Sequence, residues 1–448
     1  MEQGAVKIME ILEHGIQLKP GQSASQILHL CLNTAVERYP SIFSAIDFPA
    51  TSKNFKDNYI EVVPQFEAAR INHPERADIA ELLATTFQEQ IIFRDDSRSI
   101  LLQEKLAHPA ESLELERLPP NTEPGWQPKL QFLGEDWPNL SILGQALLDE
   151  NIVSTSAKEA MDWLAQLLDT EKSVDLSGRK VVIFGASAEM APTEQFSAAG
   201  ANILWLDLAP PSKLKGSKCR AGEVSFPKNG INLLTQPCEA MATILAYSKG
   251  QPLDFCLYAY APGQTREMRL GAAMNAIVNA VPSSLIRTIT LLLSPTTATP
   301  LSSDDLLALH RRKKNRPSWE AILDSLGLLG KGGGATRQGK FGASNSLVAI
   351  QGASYQTAQY LAKLMMAEKW SKKGSSCKEN NEPTRVSANT APITQTRSIA
   401  HPIFDAAFQG AAALGVQTFT PLQSQTLNGL LAVHDWLNPK TSRPGRIK

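Results

Sequence analysis

The sequence predicts an α/β protein: a doubly wound parallel sheet of Rossmann-like type, with an additional, mostly helical N-terminal domain. Three observations lead there. From about residue 177 onward, short apolar runs recur without polar alternation: "RKVVIFGAS", "ANILWLDL", "LDFCLYAYAPG", "IRTITLLLS" and "NSLVAIQGAS". Such runs suit strands buried on both faces. Helical patterns separate most of them, and that alternation builds a parallel sheet. Finally, "VVIFGASAEMAPTEQFSAAGANILWLD" joins an apolar run, a glycine turn at Gly185, a helical pattern and a second run ending in Asp207. That is the layout of a nucleotide-binding βαβ unit.

Taken in order, residues 1–95 read as mostly helical. "KIMEILEHGI", "SASQILHLCLNTAVERY" and "RADIAELLATTFQEQ" each place apolar residues three and four apart. Ser23 or Ser25 could cap the second of these, because a hydroxyl accepts the unpaired N–H groups of a first turn. Residues 105–137 are rich in Pro and Glu and read as a linker or irregular cover, closing a first region over 1–137. "LSILGQALLDE" and "SAKEAMDWLAQLLDTE" form a helix pair within 138–176. The α/β domain spans 177–437, with an insertion at 302–344, and 438–448 is a tail. The insertion holds the basic knot "HRRKKNRP" and the glycine-rich "GKGGGATRQGKFGAS", which suits a lid at the strand ends and lacks the P-loop pattern. The polar stretch 371–384 reads as a mobile loop. The C-terminal segment reads as helix, link and helix, with Phe408, Phe419 and Trp436 as packing residues.

Composition narrows the function classes. The 448 residues are 43% hydrophobic and 20% charged, an ordinary globular balance. Lys plus Arg and Asp plus Glu both number 44, so no global field points to nucleic acid or to a membrane surface. Any electrostatic recognition must be local. The five cysteines and seven histidines show no metal-ligand spacing, and an odd cysteine count suits thiols in a reducing cytoplasm. No run approaches the roughly 20 apolar residues of a membrane span, and the N-terminus has no secretory h-region.

The turn after the first strand carries the first candidate chemistry. Free N–H groups at a helix start favour phosphate. Gly185 would let it approach, with Ser187, Ala188, Glu189 and Met190 completing the turn. Asp207 lies 22 residues after Gly185. A carboxylate there accepts hydrogen bonds from ribose hydroxyls and repels a 2′-phosphate, which favours NAD over NADP. Lys213, Lys215 and Lys218 follow closely and could counter it. A plain βαβ unit without ligand is the alternative.

These features resemble the short-chain dehydrogenase/reductase family over about 177–437, some three-fifths of the chain. "GASAEMA" is similar to the family's "GASSGIG" turn, with Glu189 and Ala191 replacing two glycines. "LYAYAPG" stands where the family has "NNAG", and Ala261 and Gly263 fit. "IRTITLLLS" ends at Ser294, where the resemblance implies the catalytic serine, with Ser346 or Ser354 as alternatives. "TRVSANTAPITQT" resembles the sixth strand and nicotinamide-cradling turn, which implies Pro392, Thr394 and Thr396 as cofactor contacts. "GASYQTAQYLAKLMMAEKW" resembles the catalytic helix, with Tyr355 as the implied acid/base. Its i+4 partner is Gln359 instead of lysine, and Lys363 lies one turn further on the same face. Tyr360 is a weaker candidate for the proton relay. The insertion accounts for the 61 residues between Ser294 and Tyr355.

The resemblance implies an NAD(P)-dependent oxidoreductase acting on a carbonyl, hydroxyl or enoyl group of a small molecule or acyl thioester, and a homo-oligomer in some members. Two alternatives remain open: a non-catalytic binding or scaffolding protein on the same fold, and an S-adenosylmethionine-dependent methyltransferase. The basic knot reads as a solvated loop, a docking patch for an anionic substrate, or a nuclear-localisation-like match.

Overall fold

A computed structural model of the chain describes residues 14–95, 98–261, 263, 265–295, 297–326, 341–343, 352–376, 384–396 and 417–438. Its strands are β1 (Gly15–Leu18), β2 (Ile91–Arg94), β3 (Ser99–Leu101), β4 (Leu115–Leu118), β5 (Gln131–Phe132), β6 (Glu135–Asp136), β7 (Lys180–Phe184), β8 (Asn202–Leu206), β9 (Val224–Pro227), β10 (Leu253–Leu257), β11 (Ile286–Leu293), β12 (Ala298–Pro300), β13 (Phe341–Ala343) and β14 (Arg385–Thr390). Seven of them form one sheet in the order β14-β11-β10-β7-β8-β9-β4. All its pairs are parallel except β4 with β9. Counted along the chain, the six parallel strands stand in the order 3-2-1-4-5-6, the doubly wound arrangement. The switch point lies between β7 and β10, where ligands bind in such sheets.

The strands are unbroken apolar runs because both faces are covered. Side chains alternate across a strand, so Val182, Phe184, Leu204 and Phe255 enter one core. Val181, Ile183, Ile203 and Cys256 enter the other. The first core is closed by helices Pro237–Ser248, Arg266–Ala280 and the long helix 353–376, and continues into Ala24–Arg38, Ser52–Ile71 and Arg76–Gln88. The second is closed by Leu140–Asp149, Thr155–Glu171 and Pro421–Leu437. At the amino ends of the strands, buried Asp254 of β10 accepts two hydrogen bonds from Arg179 at 2.9 Å each. Arg287 and Thr288 beside it donate to the same carboxylate, which ties β7, β10 and β11 together.

Several elements follow the sequence closely. Ser23 is the N-cap of Ala24–Arg38 and forms a capping box with Gln26. Others differ. "KIMEILEHGI" falls largely outside the described residues, and its last two, Gly15 and Ile16, begin a strand. Gly15 sits at φ +110, outside helical space. The Pro-rich stretch contributes β4, an edge strand whose exposed Glu116 and Arg117 discourage pairing with another chain. "NSLVAIQGAS" lies mostly outside the described residues, as does most of the glycine-rich run. In the polar stretch, residues 371–376 extend the preceding helix rather than forming a loop.

Candidate active site

The turn after β7 is shaped by one steric fact. Gly185 has φ +72, and a Cβ placed there would stand 2.2 Å from Ala259 Cα at the end of β10. The chain then reverses without a helix for several residues. Ala188 N–H donates to Gly185 O (2.9 Å) and Ala191 N–H to Ala188 O (3.0 Å). The helix expected directly after the glycine spans only Thr193–Ala198, six residues. The turn's outer residues are held by the C-terminal helix: Gln425 Nε2 donates to Glu189 O (2.7 Å) and Asn428 Nδ2 to Met190 O (3.4 Å).

Asp207 stands at the end of β8, as the βαβ reading requires, and reaches back to this turn. Its Oδ2 accepts from both the N–H and the hydroxyl of Ser187, each at 2.7 Å. Its Oδ1 accepts from Leu208 N–H at 2.7 Å. A carboxylate of the chain thus occupies an N–H where a phosphate was expected. Of the following lysines, Lys215 lies over the Phe226 ring (5.3 Å) and Lys218 is exposed.

The second half of the site gathers at the carboxyl ends of β10 and β11. Ser294 follows β11, and its N–H donates to Gln359 Oε1 at 3.0 Å. The other end of that amide, Nε2, donates to Glu267 Oε1 at 3.3 Å. Lys363 Nζ pairs with the same oxygen at 3.2 Å. Glu267 Oε2 accepts from Ala261 N–H at 3.0 Å. The structure therefore brings Ser294, Gln359, Lys363 and Ala261 into one network around a buried carboxylate that the sequence reading missed. Glu267 fixes which way the Gln359 amide points, because the amide donates to it and accepts from Ser294. Gly263, at φ +94, turns the chain between Ala261 and Glu267.

Tyr355 is half-buried in the first turn of the long helix, four residues before Gln359 and on the same face. The helix widens to π geometry over Ala358–Met365, the stretch that holds both Gln359 and Lys363. Such segments are rare and occur frequently at functional sites. Ser354 shares the first turn, and Ser346 lies outside the described residues. Tyr360 faces the other way. It is fully buried and its hydroxyl donates to Glu67 Oε2 at 2.6 Å, a packing role instead of a proton relay.

A second missed residue is Tyr260, beside Ala261. Burial and then the Glu267 carboxylate push its phenol up to about 12. It keeps its proton at neutral pH, so its hydroxyl can donate as well as accept a hydrogen bond. The turn after β14 is committed to structure: buried Thr394 donates to Pro392 O (2.8 Å) and meets Ser424 Oγ at 2.6 Å. Thr396 N–H closes onto Thr394 O at 2.9 Å. Among the described residues no group of three or more His, Cys, Asp or Glu side chains gathers as a metal site would. No helix described is long and apolar enough to cross a membrane.

No family model matches the chain. A search of curated proteins finds no match either.

Proposed function

We propose that the chain is a divergent NAD(P)-dependent oxidoreductase of the short-chain dehydrogenase/reductase type, acting on a carbonyl, hydroxyl or enoyl group of a small molecule or acyl thioester. The observation that carries this reading is the meeting of Ser294, Gln359 and Lys363 at the carboxyl end of β11, with Tyr355 one turn ahead. Residues 14–95 are read as a helical cap over the site helix, and Cys31, Cys219, Cys238 and Cys256, all free of disulfides, suit a cytoplasmic setting.

A dinucleotide fits the residues present unevenly. Asp207 suits an adenosine ribose and disfavours a 2′-phosphate, which supports NAD. The pyrophosphate end fits poorly, because Asp207 already takes the Ser187 N–H and the following helix has six residues. The cofactor, when bound, supplies or accepts hydride. In this reading Tyr355 moves the proton at the substrate oxygen and the Ser294 hydroxyl hydrogen-bonds that oxygen. Glu267 orients Gln359 and balances the charge of Lys363.

Titration with NADH and NADPH, followed by nicotinamide fluorescence, tests the reading. Binding of NADH ahead of NADPH is expected, and no binding of either at millimolar concentration would overturn it. Tyr355→Phe should keep binding and lose turnover by about 10²–10⁴; full activity in that variant would remove the proposed relay. A non-catalytic binding protein on the same fold is the second reading. It is favoured by the Asp207–Ser187 closure of the turn, and intact folding with neither dinucleotide bound would select it.

A further inference from the structure

The insertion between β12 and β13 has no part in the site reading. Its two helices, Ser303–Lys314 and Ser318–Ser325, present apolar side chains outward. Leu307 is 55% exposed, Trp319 44%, Ile322 57% and the adjoining Leu326 64%. Trp319, Ile322 and Leu326 recur at i, i+3 and i+7 and share one helical face. On the other helix, Leu307, His310, Arg311 and Lys314 share a face by the same spacing, and all are exposed. Singly exposed apolar residues are ordinary, but a stripe of them marks an interaction surface.

Charge indicates what meets it. Residues 302–344 carry eight Lys and Arg against four Asp and Glu, in a chain whose total is zero. The positive excess is concentrated beside the apolar stripe, in "HRRKKNRP". The cations lie on Ser303–Lys314 and the link after it, whereas Ser318–Ser325 carries Glu320 and Asp324 and no Lys or Arg; a cationic helix beside an exposed Trp and aliphatic stripe suits a bilayer surface. Anionic headgroups attract the cations, and the headgroup–acyl boundary accepts the apolar stripe. An acidic protein surface would satisfy the cations but would need a shaped apolar groove for Trp319, Ile322 and Leu326.

We propose that this insertion docks the protein on an anionic lipid surface. Trp319, Ile322 and Leu326 enter the headgroup–acyl boundary, and Arg311 and Lys314 face anionic headgroups. The inference does not depend on the oxidoreductase reading. It has a geometric consequence for the candidate site, because β12 begins four residues after Ser294. Docking there holds the carboxyl ends of the sheet close to the lipid.

Co-sedimentation of the full chain with phosphatidylcholine vesicles, with and without phosphatidylserine, tests this. Binding that requires phosphatidylserine and weakens with salt is expected. The combined variant Trp319→Ser, Ile322→Ser and Leu326→Ser should lower the partition coefficient by on the order of tenfold or more. Arg311→Glu with Lys314→Glu should abolish the preference for phosphatidylserine. All five side chains are exposed, so circular dichroism should show both variants folded. Failure of the unaltered chain to bind anionic vesicles would overturn the proposal, and so would equal partitioning of the serine variant. Binding to an acidic protein but not to vesicles would also overturn it, in favour of a protein partner.

Discussion

Gly185 is the residue under the tightest steric constraint at the candidate site. Its left-handed backbone costs another residue about 1–3 kcal/mol, and a Cβ would collide with Ala259 backbone at 2.2 Å. Overpacking of that kind adds about 1–3 kcal/mol. Gly185→Ala is therefore expected to lose roughly 3 kcal/mol of stability by chemical denaturation; a loss within error of zero would mean the turn can open freely. The role of this glycine is legible in sequence because a strand end, a glycine and a later acid have a fixed layout. Ser294, Gln359 and Lys363 are reached only through the resemblance to a known family pattern, and the structure brings them into one network. Glu267 is reached by neither route. It lies 92 residues before Gln359, in the first turn of its own helix. An acid there is ordinary, as the helix dipole favours it, and nothing local marks it as the hub of the site.

The long helix 353–376 is the element that joins the site to the rest of the molecule. Asn275 Nδ2 donates to Ala362 O at 2.7 Å, inside the π-helical stretch. On the opposite side Arg70, fully buried, bridges two helices: it pairs with Glu67 (2.7 Å) on its own and with Glu368 (2.7 Å) on the long one. Desolvation opposes the Arg70 charge, but its two carboxylate neighbours and their hydrogen bonds outweigh it and raise its pKa. Removing the cation strands two buried carboxylates, which costs about 3–5 kcal/mol. Arg70→Met should show a loss of that size in urea at neutral pH, and adding Glu67→Gln and Glu368→Gln should recover much of it. A loss in the single variant no larger than in the triple would show that the charges are not coupled. The helix Ser52–Ile71 that supplies Arg70 is hard to read from the sequence, because Pro64 interrupts its pattern and its exposed face is polar. β4 and β9 were hidden for another reason. Each is four residues long and flanked by Pro, Glu or Lys, too short for a period to register.

At the scale of the whole molecule, the sheet was legible because two covered faces demand unbroken apolar strands. The layering of the N-terminal helices onto the first face was not, because helix amphipathicity gives a buried face but not its partner. That layering has a consequence for alkaline stability. Of the seven tyrosines, Tyr59, Tyr247, Tyr258, Tyr260 and Tyr360 all have phenols pushed up from their ordinary value, chiefly by burial. They are spread over the helix Ser52–Ile71, the helix Pro237–Ser248, the segment following β10 and the site helix. In the unfolded chain a phenol ionises near about 10. Above that pH the unfolded state has released protons that the native state still holds, so stability falls as pH rises. Below it the raised values cost nothing. Phenolate absorbance followed together with circular dichroism should therefore show these five tyrosines ionising late, in step with cooperative loss of helix. Ionisation of all seven in one transition near pH ~10, with the helical signal intact, would contradict the shared burial of these layers.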